Sequence, residues 1–167
     1  EIDKYGATLR GADLLEAALL DNRSTEIGEV IGFCTGDLRM GVAAYAERYN
    51  VRAIKVLLRG IFDEVNSEEL LKQVSPMSDN QLDIYTQIAA SENIEGAVEQ
   101  LEGTKYYELL QEALENRKSD SLQPLEDALD KAYYQDLVSS LPSSGAADRI
   151  YRGFVQIQID VANLKTV

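Results

Sequence analysis

Carboxylates are the side chains in this sequence most able to suggest chemistry. Glu126, Asp127 and Asp130 stand within one turn of a predicted helix, and Asp63-Glu64 and Glu68-Glu69 form local doublets. Paired acids work as general acid and base, or hold a metal, when burial lifts one carboxyl above its ordinary pKa. The positions argue against that here. Glu126 and Asp130 fall off the Leu125/Leu129 stripe, and Asp127 stands one turn before Lys131, in register for an ion pair. These acids read as solvated helix faces.

Other routes to chemistry close quickly. The sequence has 0 His, which removes imidazole acid–base work, His–Cys pairs and His metal sites. Its 1 Cys, Cys34, can form neither an internal disulfide nor a thiolate cage. In Gly32-Phe33-Cys34-Thr35-Gly36 it reads as a small buried or turn residue, with a reduced compartment as the default. No Gly-Lys dipeptide, Gly-x-Ser-x-Gly elbow or Gly-x-Gly-x-x-Gly loop occurs. The reading is a non-enzyme: no catalytic residue, no metal ligand and no cofactor. Tyr106-Tyr107 and Tyr133-Tyr134 read as pairs with one ring in the core and its neighbour outward. Lys55 and Lys165 read as burying their stems and stabilising the acidic surroundings. Which residues bind a partner stays unknown at this level.

The elements that carry these residues are helices. Apolar residues make up 45% of the 167 positions, spaced in threes and fours, with only 3 Pro, so the chain reads as all-α with a core of its own. Sixteen bases against 29 acids leave a net charge of −13, which repels nucleic acid and anionic lipid and suits a basic partner or a salty cytoplasm. No apolar run reaches the ~20 residues needed to span a bilayer. The chain begins at Glu1 without Met and stops at Val167 inside a helical phrase, so it reads as a fragment.

Along the chain, a helix is expected from Ala7 to Leu20, a break at Asp21-Asn22-Arg23-Ser24, and a short helix from Thr25 to Phe33. A long helix then runs from Thr35-Gly36 through Ile61. Short helices follow at Ser67–Leu71, after Ser78, and from Asn93 to Leu101, with Gly103-Thr104 as C-cap then N-cap. Three clear helices close the chain. Thr104–Asn116 carries Tyr106, Leu109, Leu110, Ala113 and Leu114; Leu122–Leu141 carries Leu125, Leu129, Ala132, Tyr133 and Leu137, with Pro124 in its first turn. Ala146–Val167 carries Ala147, Ile150, Phe154, Ile157, Val161 and Leu164, whose alternating spacings of three and four make a coiled-coil-like seam.

One phrase occurs twice. Asn50-Val51-Arg52-Ala53-Ile54-Lys55-Val56-Leu57 returns as Asp160-Val161-Ala162-Asn163-Leu164-Lys165-Thr166-Val167, at an offset of 110 residues. Leu9-Arg10-Gly11 is echoed by Leu101-Glu102-Gly103 at an offset of 92. The expectation is a duplicated helical module: residues 1–62 hold a partial first module, and 63–167 a second that ends in a truncated long helix. Val51, Ile54, Leu57, Val161 and Leu164 are expected in the repeated core, so that Leu164→Asp should unfold the last helix while Glu126→Ala changes little. Glu47 and Asp37, beneath Ile157 and Ala147 in the repeat, break the first copy's stripe.

The repeated phrase resembles the D-x-x-N-L-K-T-x-L-R signature of the C subunit of archaeal-type rotary ATP synthases, equivalent to the d subunit of vacuolar ATPases. Leu101-Glu102-Gly103-Thr104-Lys105-Tyr106 and Leu125-Glu126-Asp127-Ala128-Leu129-Asp130-Lys131-Ala132-Tyr133-Tyr134 are similar to its L-x-x-T-x-Y and L-E-x-A-L-D-x-x-Y-Y stretches. Asn50 and Ala53 depart from the signature's Asp and Asn. The resemblance implies three helical modules in a pseudo-threefold funnel. It implies a non-catalytic socket of the central rotor that couples the central stalk to the membrane ring during ATP synthesis or ion transport. Its partners would be those two assemblies, without nucleic acid or a membrane span of its own, and its place the cytoplasmic side of the membrane-bound complex. The alternative is a helical-repeat adaptor that binds protein in a groove, for which short equal repeats would be the mark.

Overall fold

The computed structural model describes residues 3, 6–7, 9–117, 121–141 and 146–165, and among them it is helical with no strand. Eight helices are described: α1 Gly11–Phe33, α2 Gly36–Phe62, α3 Ser67–Lys72, α4 Asp79–Ala89, α5 Ile94–Glu99, α6 Tyr107–Glu115, α7 Gln123–Ser139 and α8 Ala146–Lys165.

The expected break at Asp21-Asn22-Arg23-Ser24 does not occur, because α1 runs unbroken through it. The polar side chains that suggested a cap turn back into the helix instead. Ser24 Oγ donates to the Leu20 carbonyl and Thr25 Oγ1 to the Asp21 carbonyl, each at 3.1 Å and one turn back. Hydroxyls bonded this way stay inside a helix rather than starting a new one. Ser24 is also buried, its Oγ 2.9 Å from Ser75 Oγ. The helix begins at Gly11, which takes φ +61°, and not at Ala7.

Local signals place the short helices well. The side chains of Asn66, Ser78 and Asn93 accept from the backbone N–H of Glu68, Gln81 and Gly96, satisfying donors left free in each first turn. The cap of α3 is Asn66, one residue before the expected Ser67. At the Gly103-Thr104 junction, Gly103 takes φ +79°, and Thr104 Oγ1 donates to the Leu101 carbonyl while accepting weakly from Tyr106 N–H at 3.3 Å. Helix α6 therefore starts at Tyr107, three residues after the expected Thr104.

The long helix α2 is the axis of the fold. Val51, Ala53, Ile54, Leu57 and Leu58 are buried in one core with Tyr85 and Ile88 of α4, Ala97 and Val98 of α5, Leu110 of α6, and Leu125, Leu129 and Leu137 of α7. All five expected stripe residues of α7 are buried. Gly60 lets α3 reach α2, since a Cβ there would lie 1.9 Å from Leu70 Cδ2. The last helix differs from expectation. It packs through Val155, fully buried, with Tyr151 and Ile159 beside it, and the seam residues Ile150, Phe154, Ile157, Val161 and Leu164 are exposed. Val161 and Leu164 are therefore not core residues of this chain, whereas Val51, Ile54 and Leu57 are. Helix α8 carries two apolar stripes, and the body takes the shorter one.

Candidate interaction surfaces

The carboxylates sit where ion pairs hold helices together. Glu126 on α7 accepts from Arg59 on α2 through both oxygens, at 2.6 and 2.8 Å. That fork of hydrogen bonds holds the Glu126 carboxyl below its ordinary pKa, opposing a smaller upward push from burial, the reverse of what a general acid needs. Asp130, one turn on, meets Lys55 at 2.6 Å. Asp127 takes the Gln123 side-chain amide at 2.7 Å, one turn back, where Lys131 one turn on was the expected partner. Lys55 is buried along its stem and paired at its head, as expected. Among the described residues no group of three acids or Cys is placed to hold a metal. Cys34 is the C-cap of α1, partly exposed in the turn to α2. The side chains of Ala147 and Lys165 lie outside the described residues.

A polar network inside the body was not legible in the sequence. Glu47, which breaks the repeated stripe, accepts from the Tyr106 hydroxyl and from the Asn50 amide, both at 2.6 Å. Asn50 Oδ1 in turn accepts from the Tyr85 hydroxyl at 2.8 Å. Lys105 closes the outer side, 3.8 Å from Glu47 and 2.6 Å from Asp136. Burial pushes the hydroxyls of Tyr85 and Tyr106 well above the ordinary tyrosine range, and the Glu47 charge adds to this. The signal available was Glu47 itself, a charge on an apolar stripe three residues before an Asn. Tyr106 and Tyr133 are the buried members of the two tyrosine pairs, and Tyr107 and Tyr134 are half-buried. Tyr133 and Tyr134 meet edge-on at 5.0 Å.

Two features are open to solvent and large enough to receive a partner. The first is the outer stripe of α8, on which Ile150 is 77% and Leu164 78% exposed, with Phe154 only edged by Tyr45. A helix apolar on both sides is an interior helix, and a row of large aliphatic side chains in water marks an interaction face. The repeat sharpens this. At the positions of α2 that match Val161 and Leu164, Val51 is 4% and Ile54 1% exposed, in the core with α4, α5 and α7, whereas Met40, which matches Ile150, is 59% exposed. The Tyr151 hydroxyl donates to the Gly41 carbonyl, 110 residues earlier in the chain, the same offset as that of the repeated phrase.

The second feature is a pair of clefts divided by the Tyr49–Arg52–Val56 ridge of α2. The one toward α1 and α3, about 780 Å³, carries both signs of charge, Glu16 and Glu68 against Arg23, Arg52 and Lys72. Arg23 stacks 4.5 Å over the Tyr49 ring. The other, about 600 Å³, opens toward α7 and α8 and is lined by bases. No described helix is long and apolar enough to cross a membrane.

A family model described as ATP synthase (C/AC39) subunit matches residues 3–167. The C subunit of the A-type ATP synthase of Methanosarcina acetivorans is 29% identical over 168 residues, covering 100% of this chain and 46% of the relative. That of Halobacterium salinarum is 26% identical, covering 98% and 48%, and that of Haloquadratum walsbyi 31% identical, covering 98% and 48%. The chain thus spans about half the length of the curated relatives it matches. No solved structure matches it.

Proposed function

Since the chain belongs to the ATP synthase (C/AC39) subunit family, we propose that it works as part of a non-catalytic rotor component, a socket that couples the central stalk of a rotary A/V-type ATPase to its membrane ring. Its place would be the cytoplasmic side of the membrane, held there by its partners. The observation that carries the reading is that Val161 and Leu164 of α8 are bare while their equivalents on α2, Val51 and Ile54, are covered. We propose that residues 1–62 and 63–167 are successive repeat units, and that a following unit covers α8 as α4, α5 and α7 cover α2. Relatives about twice this length leave room for those helices. A part that transmits torque needs stiff helices cross-braced against shear, which the Arg59–Glu126 and Lys55–Asp130 pairs between α2 and α7 supply. The adaptor alternative asks for short equal repeats, whereas the helices here range from 6 to 27 residues.

The test is capture of the full-length protein and of this chain by detergent-solubilised rotor ring and, separately, by purified central-stalk proteins. Binding of the full-length protein to both, surviving moderate salt, is the expected outcome. Binding of folded full-length protein to neither would overturn the socket reading.

A further inference from the structure

The bases of α2 are not scattered. Arg48, Arg52, Lys55 and Arg59 fall at spacings of four, three and four, which places them along one side of the helix, and all four line the groove toward α7 and α8. The opposite wall offers Tyr134 and Gln158. Among the described residues two acids pair with these bases, Asp130 with Lys55 and Glu126 with Arg59, so two of the four are left without an ion pair in this groove, one of them on the ridge it shares with Glu16 and Glu68 of the other cleft. Those are Arg48 and Arg52, both exposed. The Arg48 guanidinium is held in place without being neutralised: it donates to the Tyr45 hydroxyl and lies 5.2 Å from the Tyr45 ring and 5.8 Å from that of Tyr49. Arg52 is close enough to Arg23 for the two cations to repel.

In a chain of net charge −13, a groove with a surplus of positive charge stands out. Concave walls focus that field, while the acidic surface around it repels a long polyanion such as a nucleic acid or an anionic bilayer. What satisfies both conditions is a short acidic segment on a protein. We propose that this groove is the docking site of an acidic helix of a protein partner, whose carboxylates pair with Arg48 and Arg52 and whose apolar side rests on the Tyr49 and Tyr134 rings. A groove of about 600 Å³ takes a few turns of such a helix along one side. This rests on the groove's own chemistry and stands or falls apart from the rotary reading.

The experiment is fluorescence anisotropy of this chain with a labelled helical peptide of about 20 residues, long enough to span the groove, carrying Glu at i, i+4 and i+7. A peptide with Lys at those positions and a single-stranded oligonucleotide serve as comparators. The expected result is saturable binding of the Glu peptide, weakening as salt shortens the Debye length, and no binding of the Lys peptide. R48Q/R52Q should weaken it by about tenfold, and K72Q, in the other cleft, should leave it unchanged. Thermal melts of both variants establish that they are folded. Should R48Q/R52Q fail to fold, R52Q alone, which breaks no hydrogen bond or ring contact described above, is read instead. No saturable binding of the Glu peptide, or equal binding by the folded arginine variant, overturns the proposal. Tighter binding of the oligonucleotide with the same arginine dependence also overturns it and assigns the groove to nucleic acid.

Discussion

Tyr106 donates its hydroxyl to Glu47 at 2.6 Å, joining the start of α6 to the middle of α2 across 59 residues of sequence. The bond makes a charged residue on a buried stripe compatible with folding, because the carboxylate also accepts from Asn50 and faces Lys105. Removing the acceptor strands two donors in the interior. Glu47→Ala should therefore destabilise the chain by about 1–3 kcal/mol. Tyr106→Phe, which removes one donor and leaves the carboxylate its Asn50 partner, should cost less. Urea unfolding of both variants checks the order, and a silent Glu47→Ala would mean the network does not form.

Gly60 of α2 and Leu70 of α3 are in close contact, with a Cβ at residue 60 falling 1.9 Å from Leu70 Cδ2 and 2.9 Å from its Cγ. The whole isopropyl group stands in the way, and Leu70 is 1% exposed, so its side chain has little free space to turn into. Gly60→Ala should cost about 1–3 kcal/mol by overpacking, despite alanine's better helix propensity. The companion Leu70→Ala on that background should recover part of the loss in thermal melts.

Leu164→Asp should leave the melting of this chain nearly unchanged, since that side chain is exposed. Leu129→Ala, in the fully buried stripe of α7, should cost about 2–5 kcal/mol. If the bare face of α8 is covered in the full-length protein, the same Leu164→Asp should destabilise that longer chain. Equal, silent melts in both lengths would leave α8 with no partner and sink the module proposal.

The Arg59–Glu126 pair predicts an acid dependence with a definite sign. The folded-state pKa of Glu126 is depressed, so its contribution is present above the ordinary glutamate value of 4.5 and is lost as pH falls through the lower folded value. Arg59 is 57% exposed, so the pair is worth no more than about 1 kcal/mol. Wild type and Glu126→Gln should differ in stability at neutral pH and converge as the solution is acidified below that value. A constant difference from pH 7 into the acid range would refute the assignment.

At the alkaline end, burial raises Tyr85, Tyr106, Tyr133, Tyr134 and Tyr151 above the ordinary tyrosine value of 10.0. Folded protein holds these protons after the unfolded chain has released them, so stability falls as pH rises above about 10. Ultraviolet titration of the 9 tyrosines should show a fraction that ionises only as the protein unfolds. Ionisation of all of them in one step near 10, with circular dichroism unchanged, would contradict the burial described here.

Much of the helical layout was legible because its signals are local. Ser78 and Asn93 cap where their side chains predict, and Pro124 sits in a first turn. The α7 stripe Leu125, Leu129, Ala132, Tyr133 and Leu137 is buried to its last member. The expected break in α1 fails for an equally local reason. Ser24 has the side chain of a cap, but a hydroxyl serves a cap and an i−4 carbonyl equally well, and burial beside Ser75 decides between them. The basic row of α2 was not read from the sequence, and which of its members are neutralised depends on α7 lying alongside.

The sequence alone determined that the chain is all-helical, where α2, α7 and α8 run, that Val51, Ile54 and Leu57 are core, and, through the repeated phrase and the stretches between its copies, which family it resembles. Tertiary structure alone decided what each apolar stripe meets. Periodicity assigns a side chain to one face of a helix, but two faces of α8 are apolar, and only the path of the chain shows that Val155 is buried while Leu164 stands in water. The same holds for Glu47: a charge within an apolar stripe is disruptive or stabilising according to whether donors from distant segments, here Tyr106 among them, arrive beside it. Local spacing cannot encode that arrival, because it depends on contacts between residues far apart in the chain.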